Sequence, residues 1–228
     1  MFEVSESWAS AFAGAYAGVM VICDVTNPPR HVGLNREKEM LEAELRSRFA
    51  ALARPELEML PSLQAYGAYY KRFKKTYHVQ LQLESIVFKG KSIPGAAALV
   101  EAMFMAELKN MLLTAGHDLD TLQLPVVLKA SKGDESYTLL RGRLQQLKAG
   151  DMTMADGGGI ISSVIYGPDQ RTQIRASTRN VMFTVYAPQG IGEQMVLGHL
   201  QDIERYVRLV APDARVQLLS VFGRPAST

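Results

Sequence analysis

Within ten positions the chain alternates cations with aromatic rings: Tyr69-Tyr70-Lys71-Arg72-Phe73-Lys74-Lys75-Thr76-Tyr77-His78, with Lys89 and Lys91 soon after. Lys71, Arg72, Lys74 and Lys75 can neutralise phosphates while tyrosine rings stack on unpaired bases, the combination by which single-stranded and structured RNA is held. A helix with its aromatics turned inward and its cations in water gives the same string, so both readings stay open. Other polar groups carry weaker signals. His31, His78, His117 and His199 are the only histidines, no two at helical metal-ligand spacing, and zinc signatures are absent. His117-Asp118-Leu119-Asp120 gathers three polar groups in one turn, suited to a hard cation, a substrate amine or a solvated capping loop. Gly157-Gly158-Gly159 lacks GxGxxG spacing and a following Lys-Ser/Thr pair, and reads as a hairpin turn needing positive φ. Ser162-Ser163 has no GxSxG elbow around it.

These residues sit in a chain of 228 with 25 Lys plus Arg, 23 Asp plus Glu and formal net charge +2; 47% of residues are hydrophobic and 21% charged. That composition excludes disorder, collagen-like repeats and a disulfide scaffold. With charges so nearly balanced, any polyanion contact must come from a local patch. Cys23 is the only cysteine and lies in the apolar run Val19–Cys23, which excludes an internal disulfide or a CxxC zinc site and predicts a buried thiol. The uncharged stretch from Ser7 to Cys23 follows an acidic start, Glu3 and Glu6, and is too rich in Ala and Gly for a span, so a cytoplasmic protein is expected.

The elements that must position these groups divide unevenly along the chain. Early on the pattern predicts a strand at Phe2–Val4, a helical turn at Trp8 and a buried strand from Tyr16 to Val25. A helix follows from Arg36 to Ala53, capped by Asn35, with Leu41, Leu45, Phe49 and Leu52 on one face. Glu42 with Arg46 and Glu44 with Arg48 fall on its solvated side. Further helices are predicted from Pro61 to Phe73, Val79 to Phe88 and Leu99 to Leu113. After Asp118 short β-branched and aromatic segments take over: Leu124–Ala130, Tyr137–Leu140, Met152–Ala155, Ile160–Tyr166, Thr172–Arg175 and Val181–Tyr186. Val196, Leu200, Ile203, Val207 and Val210 then predict a late helix, and Val216–Phe222 a last strand. The expected fold class is α+β, a helical N-terminal half packed on a largely antiparallel sheet, forming one domain over 1–228.

From Tyr66 onward the order of features resembles the editing module of the bacterial phenylalanyl-tRNA synthetase beta chain, including its freestanding forms. The marks are Tyr69-Tyr70-Lys71 with its basic run, Glu84-Ser85, Gly90-Lys91-Ser92-Ile93-Pro94 and Leu99-Val100-Glu101. Further on come Gly116-His117-Asp118-Leu119-Asp120, Gly133-Asp134-Glu135, Gly150-Asp151-Met152-Thr153-Met154-Ala155-Asp156, Ser162 to Gly167, and Ser177 to Phe183. The resemblance covers about 61–188, leaving 1–60 and 189–228 as extensions. It implies an α+β domain whose cleft receives a mischarged aminoacyl group and hydrolyses the ester without a metal or other cofactor. The family's basic residue and threonine fall at Ala98 and Met103, its pocket histidine at Ala115, its tyrosine-reading glutamate at Thr184 and its Ala-Gly lining at Ser162-Ser163. The positions implied for catalysis are therefore Ser162, Ser163 and Thr184, with His117 and Asp118 binding substrate.

Two functions follow. One is a module binding tRNA or aminoacyl-tRNA through Lys71, Arg72, Lys74 and Lys75, with trans-editing deacylation as its enzymatic form. The other is a binder of an amino-acid-like small molecule on the same scaffold, without catalysis. A second copy of the chain is a further candidate partner; DNA and membranes are not expected, and a serine or metal hydrolase lacks its motif.

Overall fold

The computed structural model describes residues 2–223; residue 1 and residues 224–228, the ends of the expected 1–228 domain, lie outside it. Two sheets and a helical layer share one continuous apolar core running from Trp8 to Ala214. The first sheet has four antiparallel strands in the order β11 (Arg215–Gly223), β2 (Tyr16–Cys23), β10 (Asn180–Ala187), β3 (Thr114–Asp118). The second has the order β1 (Phe2–Val4), β4 (Val126–Ala130), β7 (Met152–Asp156), β8 (Gly159–Ser163), β9 (Gly167–Pro168), in which only the β1–β4 pair is parallel. A small hairpin joins β5 (Ser136–Thr138) to β6 (Leu144–Gln146). The chain is α+β with antiparallel pairing dominant.

Strand β2 reads as an unbroken apolar run because both of its faces are covered. Helix α7 (Glu193–Val210) packs on one face so closely that a Cβ at Gly18 would stand 2.5 Å from Val196 Cγ1 and 2.9 Å from Leu200 Cδ1. Glycine is the residue that permits this approach. On the other face Thr184 and Tyr186 of β10 meet Met154 of β7 and Ser162 of β8.

The remaining helices are α1 (Glu6–Ala11), α2 (Val32–Arg48), α3 (Arg54–Glu58), α4 (Pro61–Lys71), α5 (His78–Lys89) and α6 (Ala98–Asn110). Helix α2 begins one turn before the expected Asn35 cap. His31 holds the N-cap, its Nδ1 accepting from the Leu34 N–H at 3.3 Å. Val32 and Gly33, poor helix formers, hide that start. Glu42 also departs from the expected solvated face: it is buried, accepts the Ile93 N–H at 2.7 Å and pairs with Arg46 at 3.1 Å.

Helix α6 ends at Asn110, where Met111 turns left-handed at φ 58°, and the chain enters β3 rather than continuing helically to Leu113. Thr114-Ala115-Gly116-His117-Asp118 has weak strand propensity, but pairing with Val181–Val185 and complete burial make it a strand. Expected strand Ile160–Tyr166 stops at Ser163, whose Oγ accepts the Tyr166 N–H at 3.2 Å in the turn that follows. Thr172–Arg175 is irregular, and Leu144–Gln146 is a strand the pattern did not announce. The glycine triplet does turn β7 into β8, with Gly159 at φ +122°.

Candidate functional site

Helix α4 and the β7–β8 hairpin build a buried polar knot. Tyr69 projects from α4 and donates to Asp151 Oδ1 at 2.6 Å, while its oxygen accepts the Met152 N–H at 2.6 Å. Ser163 donates to Asp151 Oδ2 at 2.5 Å, and the Ile165 N–H lies 3.5 Å from the same oxygen. Burial pushes the Asp151 carboxyl up to about 6, against the pull of the Ser163 and Tyr69 hydroxyls and backbone donors. One strand register away, Ser162 is hydrogen-bonded to the Tyr186 hydroxyl, and Tyr66 donates to the Tyr186 carbonyl at 2.5 Å. Thr184 is fully buried against Met154, Oγ1 to Sδ 3.7 Å.

Ser162 faces Tyr186 and Thr184 faces Met154, whereas Ser163, the next residue along β8, is turned to Asp151; all three are interior. None is more than 2% exposed, and each hydroxyl is engaged by a protein group. Asp151, Tyr69 and Tyr186, which hold them, were not among the expected site residues. Asp151 left a usable signal: a lone carboxylate opening the apolar strand Met152–Ala155 has to find buried donors.

The 117–120 turn is also less solvated than one of its expected readings. His117 is fully buried at the end of β3, and Asp118 is 6% exposed. Asp118 does cap the short 3₁₀ turn Leu119–Thr121, accepting from Asp120 N at 3.1 Å, and takes a hydrogen bond from Thr178 at 2.6 Å. His117 Nδ1 lies 2.7 Å from Thr172 Oγ1, whose hydrogen is given to Asp169. Nδ1 therefore carries the imidazole hydrogen, leaving Nε2 a bare acceptor with no partner among the described residues. Burial pushes the imidazole down to about 3, so it is neutral at physiological pH. Among the described residues no group of three His, Cys, Asp or Glu is placed to hold a metal ion.

The basic segment divides cleanly. Lys71, Arg72, Lys74 and Lys75 are all exposed, whereas Tyr69, Tyr70, Phe73 and Tyr77 are buried. The rings expected to stack on bases stack on one another, Tyr66 on Tyr77 at 4.3 Å and Tyr69 against Phe73 at 5.4 Å. Helical periodicity is the reason: α4 buries the face carrying Tyr66, Tyr69 and Tyr70. The cations gain company that sequence could not supply. Lys148 reaches the Phe73 carbonyl at 3.0 Å, Arg72 reaches the Gly150 carbonyl at 3.3 Å, and Lys75 Nζ sits 4.6 Å from the Tyr166 ring centre. Among the described residues no helix is long and apolar enough to cross a membrane.

A compact two-sheet α+β domain with this order of helices and hairpins matches the B3/4 domain family over residues 63–213. The chain belongs to the B3/4 domain family. Its structure is similar to that of an N-terminal fragment of the phenylalanyl-tRNA synthetase beta-subunit from Pyrococcus horikoshii, with TM-score 0.51 and 9% sequence identity. That likeness covers 98% of this chain and 54% of the other, so the chain spans about half the length of its structural relative. No curated protein matches it. The family match reaches beyond the expected 61–188 and takes in helix α7.

Proposed function

We propose that this protein binds tRNA or aminoacyl-tRNA through its B3/4 domain, and that binding rather than ester hydrolysis is its activity. The observation that supports this most directly is the arrangement of the basic segment, with four cations on the outside of one helix end and Lys148 beside them. Clustered cations on an otherwise nearly neutral molecule are what phosphate contact requires. The interior hydroxyls count against hydrolysis. A water attacking an ester needs access and free donors for the oxyanion, and Ser162, Ser163 and Thr184 offer neither while Tyr186, Asp151 and Met154 engage them.

The test is a filter or gel retention assay with tRNA across a salt series. Replacing Lys71, Arg72, Lys74 and Lys75 together by Ala is expected to weaken retention and flatten the slope of log affinity against log salt. Unchanged retention and slope overturn the reading. Incubation with a panel of mischarged tRNAs distinguishes the enzymatic form: release of amino acid that Thr184→Ala and Ser163→Ala abolish would establish a trans-editing deacylase instead.

A second reading is favoured by a separate feature. A cleft of about 210 Å³ between α1 and α4 is lined by Ala11, Ala15, Ala65 and Ala68, with Arg72 in its wall. Small apolar walls beside a guanidinium suit an amino-acid-like carboxylate. A thermal-shift panel of amino acids tests it, because a ligand that binds only the folded state raises the melting temperature.

A further inference from the structure

We infer that a groove next to the basic segment, walled by Tyr166, receives an unpaired stretch of RNA; the inference rests on the RNA-binding reading above and extends it. The groove has a volume of about 480 Å³ and is lined by Leu139, Leu140, Arg141, Arg143, Tyr166 and Pro168. Its side chains come from the β5–β6 hairpin, the turn after β8 and strand β9, segments separated in sequence, so no local motif announced it.

Three observations select the occupant. First, the lining holds two exposed arginines and no carboxylate. The larger groove beside α2 mixes Arg30 and Lys38 with Glu39, Glu42 and Glu101, and the groove holding Arg171 and Arg175 includes Asp169. Only the Tyr166 groove, among these three, presents a purely positive wall. Second, the cationic and aromatic groups are adjacent: Lys75 stands over the Tyr166 ring at 4.6 Å, and Arg141 and Arg143 line the same groove as that ring. Third, the groove floor is apolar, with Leu140 45% exposed and Pro168 half-buried. Phosphates would meet Lys75, Arg141 and Arg143, while a base would rest on Tyr166 and the leucines. A double helix keeps its bases stacked and offers nothing to such a floor, so the fit is to unpaired nucleotides. Lys75 joins this groove to the cations of the α4 end. The tyrosines of the basic segment are interior, and Tyr166 is the ring that takes the stacking role they cannot fill.

Fluorescence anisotropy of the full chain tests the inference, using a labelled hairpin RNA with a short unpaired 3′ extension and the same hairpin cut flush. The wild-type protein is expected to prefer the extended hairpin. Tyr166→Ala should remove that preference, a loss of about tenfold in affinity for the extended probe, with little change for the flush one. Tyr166→Phe, which keeps the ring, should retain the preference, and the double variant Arg141→Ala/Arg143→Ala should weaken the extended probe more than the flush one. Equal wild-type binding of the two probes, or a preference untouched by Tyr166→Ala and by the arginine pair, overturns the groove. In those cases a loss of flush-hairpin binding in the Lys71, Arg72, Lys74 and Lys75 variant leaves the broader RNA reading standing. Binding of neither probe by the wild type ends both.

Discussion

The phenolic hydroxyl of Tyr69 is shared between a side chain and a backbone group: it donates to Asp151 at 2.6 Å and accepts the Met152 N–H at 2.6 Å. One atom on α4 thereby satisfies both the buried carboxylate and the first backbone donor of β7. Tyr69→Phe keeps the ring contacts with Phe73 and Tyr70 but strands two buried polar groups. Chemical denaturation should show a loss of about 1–3 kcal/mol. The Asp151 carboxyl should also titrate higher than about 6, since one of the bonds holding it down is gone.

Glu107 gives a pH dependence of definite sign. It is buried on α6, accepts the Thr114 N–H at 2.7 Å, and burial pushes its carboxyl up to about 8 from 4.5. Between those two values the folded chain binds a proton that the unfolded chain has lost, so stability falls as pH rises through this window. Glu107→Gln should match the wild type near pH 4.5 and become progressively more stable than it toward pH 8. The difference has an upper scale of about 4 kcal/mol. Melting curves of the two proteins at matched pH check this, and parallel curves at every pH would refute it.

The buried histidines act on the acid side. Burial pushes His117 down to about 3 and His199 to about 4, with His199 Nε2 held 2.6 Å from Thr114 Oγ1. Both are neutral in the fold, so the unfolded chain binds more protons below pH 6.5, and stability is lost as pH falls from there toward the folded values. Unfolding at pH 5.5 therefore takes up protons at these histidines and releases them at Glu107 and Asp151, and calorimetry in buffers of different ionisation enthalpy reads the net uptake. His199→Gln should reduce it.

Gly18 is the tightest seam between sheet and helix. An added methyl would meet the stiff Val196 side chain at 2.5 Å and Leu200 at 2.9 Å. Gly18→Ala should cost about 1–3 kcal/mol by forcing α7 away from β2. Pairing it with Val196→Ala should recover part of that loss. Equal stability of Gly18→Ala and wild type would show that the helix yields without strain.

Much of the architecture was legible because burial imposes periodicity. Val196, Leu200, Ile203 and Val207 mark α7 at helical spacing, and β2 and β10 announce themselves as apolar runs. Strand β3 was not legible, since Thr-Ala-Gly-His-Asp owes its conformation to its partner β10 and not to its own propensities. The candidate site was half legible. The cations of 71–75 were visible as a cluster, but their direction relative to the interleaved rings depends on which face α4 buries. The knot around Asp151 brings Tyr69, 82 residues away, onto Ser163 and Ile165, which the β7–β8 hairpin returns from 12 and 14 residues away, and a single sequence has no local record of the Tyr69 meeting.

Strand β2 holds a place between β10 and β11, so residues 16–23 find their neighbours at residues 180–187 and 215–223. On the ribosome, this apolar segment emerges more than 150 residues ahead of the two strands that cover its edges. Its closing step is a long-range one, slow relative to helix formation, and the nascent protein has to shield Tyr16–Cys23 from sticking to its neighbours until that moment.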